Sequence, residues 1–243
     1  MSKLTVAGIG PGDRDNMTLG ADRALREADV IVGYTVYTDL IKNDYPGKEY
    51  ITTPMTKEAE RCRIALDLAA EGKNVVLVCS GDSGIYGMAA LVYELRGEDP
   101  EPEIVVLPGI TAASSGSSLL GAPLTHDFAV ISLSDRLTAW ETIVKRLDCA
   151  AKADLSIVLY NPSSKGRPDH LRRACDILLA TLPADRPCGI AHAIGREGES
   201  AQILTLGELR DTAVDMFCTV FIGNSATKVI GNKLVTPRGY RYA

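Results

Sequence analysis

Two hydrophobic periods alternate along the chain. Short β-rich runs begin with Leu4–Ala7 and Val30–Val32, and between them Ala21, Ala24, Leu25 and Ala28 fall at i, i+3, i+4 and i+7, one face of a helix. Thr56 is placed to cap a helix over Lys57–Glu71, with Glu58 and Glu60 at its positive end and Gly72 at its stop. Val75–Cys79 and Ile104–Leu107 are continuous apolar runs, the pattern of strands covered on both faces. Gly121-Ala122-Pro123 separates a Ser/Gly-rich helix from a new β run, Phe128–Leu133, which predicts lobes over 1–120 and 121–243. The second lobe repeats the alternation, with strands at Leu155–Leu159 and Met216–Ile222 and a helix over Pro168–Thr181. Gly231-Asn232, between Val229-Ile230 and Lys233-Leu234-Val235, predicts a terminal hairpin whose residue order suits a II′ turn. Strands alternating with helices define an α/β protein with a largely parallel sheet.

Composition narrows the class. The 243 residues suffice for one large or two small domains, and 46% hydrophobic with 23% charged residues is ordinary globular usage. The 26 Lys and Arg against 31 Asp and Glu, net charge -5, disfavour a nucleic-acid or anionic-membrane binder, which draws its affinity from a basic face. Cysteines 62, 79, 149, 175, 188 and 218 form no CxxC pair and have no close His partner, so they read as reduced cytosolic thiols. From Met1 the chain meets Gly8 before a leader's apolar stretch could form, and no run approaches the roughly 20 apolar residues of a membrane helix, so a cytoplasmic location is expected. His126, His170 and His192 show no helical ligand spacing, and no protein-bound metal is expected.

The chemistry concentrates in loops. Gly8-Ile9-Gly10-Pro11-Gly12-Asp13, Ser80–Gly87 and Pro108–Ser114 each follow a predicted strand, where glycine lets a ligand approach the backbone or simply makes a tight turn. The first loop fails as a dinucleotide fingerprint: Asp13 stands where the third Gly belongs, Pro11 removes an N–H, and Asp29 precedes its strand instead of ending it. No G-x-x-x-x-G-K-[ST] sequence is present, which excludes a P-loop.

Together with Leu159-Tyr160-Asn161-Pro162 and Phe221-Ile222-Gly223-Asn224-Ser225, these loops resemble the tetrapyrrole (precorrin) methyltransferases over nearly the whole chain. Ser80–Met88, Pro123-Leu124-Thr125-His126-Asp127-Phe128 and Tyr160-Asn161-Pro162 look most like the ring-contracting members, which methylate C17 of precorrin-3B or cobalt-factor III in cobalamin synthesis. The resemblance implies two α/β lobes of class III methyltransferase architecture, with S-adenosylmethionine in the cleft between them, a small-molecule tetrapyrrole substrate and a homodimer. By that match Gly81, Ser83, Ile85 and Tyr86 contact the cofactor, Thr111 and Ala112 line it, and Tyr160, Asn161, Ala191 and Thr219 close the site. Gly10, Pro11, Gly12, Arg14, Ser132, Ser134 and Arg136 are the substrate-side candidates, with Lys165, Arg167 and Arg196 as further basic groups for its carboxylates.

Methyl transfer is an in-line displacement driven chiefly by alignment, so it needs no conspicuous catalytic dyad. Ring contraction moves protons, and Asp13, Asp82 and His126 are the acid–base candidates. Each has a bland counterpart: a turn or capping Asp, an Asp bonded to loop backbone, a satisfied structural His. Two other readings stay open, an RNA ribose or diphthine methyltransferase of the same fold and a non-enzymatic tetrapyrrole or nucleotide sensor.

Overall fold

The computed structural model describes residues 3–241; Met1 and Ser2, which open the leader argument, lie outside them. The chain divides into compact units at 1–112 and 113–243.

In the first unit, β1 (Lys3–Gly8), α1 (Leu19–Glu27), β2 (Val30–Tyr34), α2 (Thr35–Ile41), β3 (Glu49–Thr53), α3 (Glu58–Ala70), β4 (Asn74–Cys79), α4 (Ala89–Arg96) and β5 (Glu103–Leu107) alternate. Their strands form an all-parallel sheet of order β3-β2-β4-β1-β5. Side-chain alternation supplies a core on each face: Leu4, Val6, Val75 and Leu77 pack with Cys62, Ala65 and Val92 of α3 and α4, while Ala7, Ile31, Val76 and Val78 pack with Ala21, Leu25 and Ile41 of α1 and α2.

The second unit begins at the second residue of α5 (Ala112–Leu120) and contains β6 (Gly121–Ala122), β7 (Phe128–Ser132), α6 (Trp140–Lys152), β8 (Ser156–Tyr160), α7 (His170–Leu179), β9 (Pro187–His192), β10 (Ser200–Thr205), α8 (Leu206–Arg210), β11 (Cys218–Ile222), β12 (Lys228–Ile230) and β13 (Lys233–Val235). Its main sheet runs β10-β9-β11-β8-β7, and β12-β13-β6 makes a smaller one. One face of the main sheet packs Ile157, Cys188, Ile190 and Val220 against Leu147, Leu171 and Leu178 of α6 and α7. The other face receives α5: a Cβ on Gly116 would stand 2.9 Å from the Phe221 ring, and one on Gly189 would stand 2.7 Å from Leu120.

Contacts divide the chain at 112, where composition predicts 120, and the small residues of α5 fit the second sheet. The structure corrects three sequence expectations. The second sheet is mostly antiparallel, with only β7 and β8 parallel; β9 and β10 are joined by a loop with no crossover helix, and such a connection permits only antiparallel pairing. Ile104–Leu107 is an edge strand with Val106 37% exposed, not one covered on both faces. Thr56 does not cap α3: it sits at φ 74°, outside the extended region an N-cap requires, and its N–H donates to Glu58 Oε1 (3.1 Å). The hairpin stands as read, with Gly231 at φ 60° between β12 and β13.

Candidate active site

Parallel pairing of β4, β1 and β5 brings the three glycine loops to one edge of the first sheet, outside the strands' carboxyl ends. They pack directly on one another. A Cβ on Gly8 would lie 2.6 Å from Gly109 N, one on Gly10 2.3 Å from Ile110 O, and one on Gly109 2.1 Å from Gly81 O. Gly10 N–H donates to Gly81 O at 2.9 Å. These glycines are therefore required first for loop-on-loop contact; the space a side chain would fill already holds backbone.

Asp82 ties this crown together. Its Oδ1 accepts from Gly84 N (2.8 Å) and Ile85 N (2.9 Å), and its Oδ2 accepts from Gly109 N (3.0 Å). Ser83 is fully buried and donates to Leu107 O (2.8 Å), leaving no surface for a ligand. Ile85 and Tyr86, by contrast, stand 44% and 56% exposed, with Tyr86 held at φ 55°. Both side chains are presented from a turn, on a surface that a ligand can reach. Thr111 and Ala112 lie beside Gly81, their backbone 3.7 and 3.9 Å from where its Cβ would be.

On the first loop Asp13 is a turn residue whose Oδ1 accepts from both the N–H and the Nδ2 of Asn16 at 2.8 Å. Pro11 and Gly12 precede it in the same bend. Arg14 reaches back to Asp22 of α1 (3.3 Å) and is half exposed. Asp29 accepts from Asn74 N (2.8 Å), which accounts for it structurally.

In the second unit β7, β8 and β9 point one way and β11 the other, so the ends of the first three share an edge with the start of β11. That edge gathers most of the expected second-lobe residues. Tyr160 ends β8 and its Oη accepts from Ala113 N (2.6 Å). Asn161, at φ 55°, donates from Nδ2 to Ser132 Oγ (3.0 Å), which also accepts from Ser134 N (3.2 Å). Arg167 donates to Ser134 Oγ and lies 3.7 Å from Asp135. Ala191 and Thr219 are register partners on β9 and β11, both buried. His126 and Arg136 are exposed on loops, Lys165 likewise, and Arg196 lies over the Phe217 ring (5.8 Å).

The remaining histidines have partners that spacing in the sequence does not reveal. His170 is buried, 3.2 Å from Asp135 and 4.8 Å from the Trp140 ring, and it holds the Asp135 carboxyl below its usual range. His192 pairs with Asp215 (3.2 Å), which also accepts from Cys218 Sγ (3.5 Å). The expectation that no cysteine has a His partner is thus corrected: Cys218 and His192 are register neighbours on adjacent strands. All six cysteines are free, and burial raises the Cys62 and Cys218 thiols to about 11 and those of Cys79 and Cys175 to about 12, so none of these four is a ready nucleophile.

Sequence reasoning passed over Arg61. It is 3% exposed and borders a cavity at the ends of β2 and β4. The available signal was its place on the apolar stripe of α3, at i and i+4 with Ala65 and i+8 with Ala69.

A two-unit α/β fold with a glycine crown at strand ends and no dinucleotide fingerprint defines a class, and comparison agrees: the chain belongs to the tetrapyrrole (corrin/porphyrin) methylases, whose family model matches residues 3–210. It is 48% identical over 238 residues to "Probable cobalt-factor III C(17)-methyltransferase" of Salmonella typhimurium, covering 98% of this chain and 99% of that one. To the "Precorrin-3B C(17)-methyltransferase" of Sinorhizobium sp it is 38% identical over 246 residues, 98% and 96% of the two chains. Its structure resembles the crystal structure of the methyltransferase CobJ with a TM-score of 0.90 at 39% identity, over 98% of this chain and 100% of that one. Among the described residues no helix is long and apolar enough to cross a membrane.

Proposed function

We propose that the protein transfers a methyl group from S-adenosylmethionine to C17 of precorrin-3B or cobalt-factor III and promotes contraction of the macrocycle. The observation that carries this reading is the convergence of the three glycine loops at one sheet edge, in a chain similar along its whole length to C17-methyltransferases.

The exposed Ile85 and Tyr86, the open Gly81 backbone, and Thr111 and Ala112 form the first-unit contribution to cofactor binding; Tyr160, Asn161, Ala191 and Thr219 form the second-unit contribution. Small side chains and backbone groups suit a sulfonium nucleoside, which carries no phosphate to cradle. When bound, S-adenosylmethionine supplies the methyl group, and its leaving group needs no acid. The chain's contribution to that step is alignment, worth up to about 7–11 kcal/mol. Ser83 and Asp82 brace the crown through Leu107 O and the Gly84, Ile85 and Gly109 N–H groups. Gly10, Pro11, Gly12 and Arg14 on one loop, and Ser132, Ser134 and Arg136 on others, face the substrate, with Asp13 and His126 as the groups that move protons during contraction. The enzyme works as a homodimer in the cytoplasm, without a nucleic-acid or membrane partner.

Anaerobic incubation of the purified protein with S-adenosylmethionine and each macrocycle, followed by mass spectrometry and absorption spectra, tests the assignment. One added methyl group and a contracted-ring spectrum are expected. Binding of both ligands without a methylated product would favour a sensor and overturn the enzyme.

A further inference from the structure

Arg61 stands in the first turn of α3 among Cys62, Ala65, Leu66 and Ala69, and it is 3% exposed. Among the described residues its partners are all neutral: Nε donates to Thr53 Oγ1 (2.8 Å), Nη2 to Pro54 O (3.0 Å) and at longer range to Thr53 O (3.5 Å), and Nη1 meets the sulfur of Met88 (3.4 Å), a weak acceptor. The guanidinium carbon lies 5.8 Å from the Tyr34 ring centre. The nearby Glu58 gives its Oε1 to the Thr56 N–H instead. Buried cations are ordinarily matched by an anion, and here the protein supplies the fork without the acid.

The guanidinium borders a cavity of about 150 Å³ lined also by Tyr34, Tyr37, Ser80 and Tyr86. Ser80 and Tyr86 belong to the crown loop, so the cavity opens at the sheet edge that carries the proposed cofactor surface. Pockets that enclose a whole drug-sized ligand run to about 300–1,000 Å³, so this one suits an arm of a ligand and not a macrocycle.

We infer that the cavity is a carboxylate subsite, in which Arg61 receives one acidic side arm of the macrocycle and fixes the ring's rotation in the site. The inference rests on the tetrapyrrole reading above. Nη1 is the donor a carboxylate takes over from the Met88 sulfur, and Nε and Nη2 stay tied to Thr53 and Pro54, which holds the fork rigid. The bonds to Thr53, the last residue of β3, and to Pro54 after it thereby turn a structural arginine into a preorganised one.

Steady-state kinetics of Arg61→Gln with the macrocycle decides it, alongside calorimetry with S-adenosylhomocysteine and a thermal melt. Losing a charge-assisted bond predicts a KM about 10- to 100-fold higher, with kcat and the nucleoside affinity little changed. Glu58→Gln covers the case of a variant that does not fold: it keeps an acceptor for Thr56 N–H, removes a like charge from the cavity lining, and lowers KM by an amount that shrinks with added salt. A folded Arg61→Gln with wild-type KM, or Glu58→Gln with KM unchanged or raised, overturns the subsite. Absence of methyl transfer by the wild type would instead sink the activity reading, so the two failures are separable.

Discussion

Asp82 shows how a residue chosen for chemistry can be explained by architecture. Its carboxylate accepts from three backbone N–H groups drawn from two loops, and a group so engaged holds the crown in shape. Asp82→Ala strands those donors, so a loss of about 1–3 kcal/mol is expected, read as a lower melting temperature together with weaker nucleoside binding. A variant that melts like the wild type yet turns over poorly would return Asp82 to the chemistry. Gly109→Ala is expected to be worse, since its methyl would meet Gly81 O at 2.1 Å, backbone that cannot swing aside. The motif string announces that these positions matter. It does not say whether a ligand or a neighbouring loop occupies the space beside each glycine, because both demand the same missing side chain.

Elements with self-contained signals were legible. The periodic face of α1, the apolar run of β4 and the Gly-Asn turn between β12 and β13 each depend on neighbours within a few residues. Helix α1 carries a further feature: Asp22 accepts from Arg26 (2.9 Å) and Tyr45 (2.7 Å), and first Arg26, then Tyr45, bring its carboxyl down from 3.8 to about 2. A depressed carboxylate stabilises the fold above its unfolded value and loses that contribution as pH falls from 3.8 through about 2. With its side chain 22% exposed, Asp22→Asn is expected to cost on the order of 1–2 kcal/mol at neutral pH. Melting curves of the two proteins should differ near pH 7 and converge at the acid end; a gap that persisted there would refute the ion-pair account. At α8 the capping box between Thr205 and Glu208 makes Thr205→Ala cost about 1 kcal/mol.

At the scale of the whole molecule, each unit owns a core and a sheet, and the proposed cofactor residues come from both. S-adenosylhomocysteine bound at about 100 times its Kd adds about 2.7 kcal/mol of stability, visible as a higher melting temperature. Tyr86→Ala, which removes an exposed contact without touching the core, should reduce that shift while leaving the unliganded melt nearly unchanged. An undiminished shift would remove Tyr86 from the cofactor surface.

The chain's own chemistry settled which segments become strands and helices, where the glycine loops fall and which family they define, because periodicity, turn residues and motifs act over a few bonds. Tertiary structure decided the rest: the antiparallel pairing of the second sheet, the attachment of α5 to it, the meeting of His192 with Cys218, and the burial of Arg61 beside a cavity. Strand order and register are chosen by burial summed over the entire fold. Residues far apart in the chain become partners only once that sum is settled.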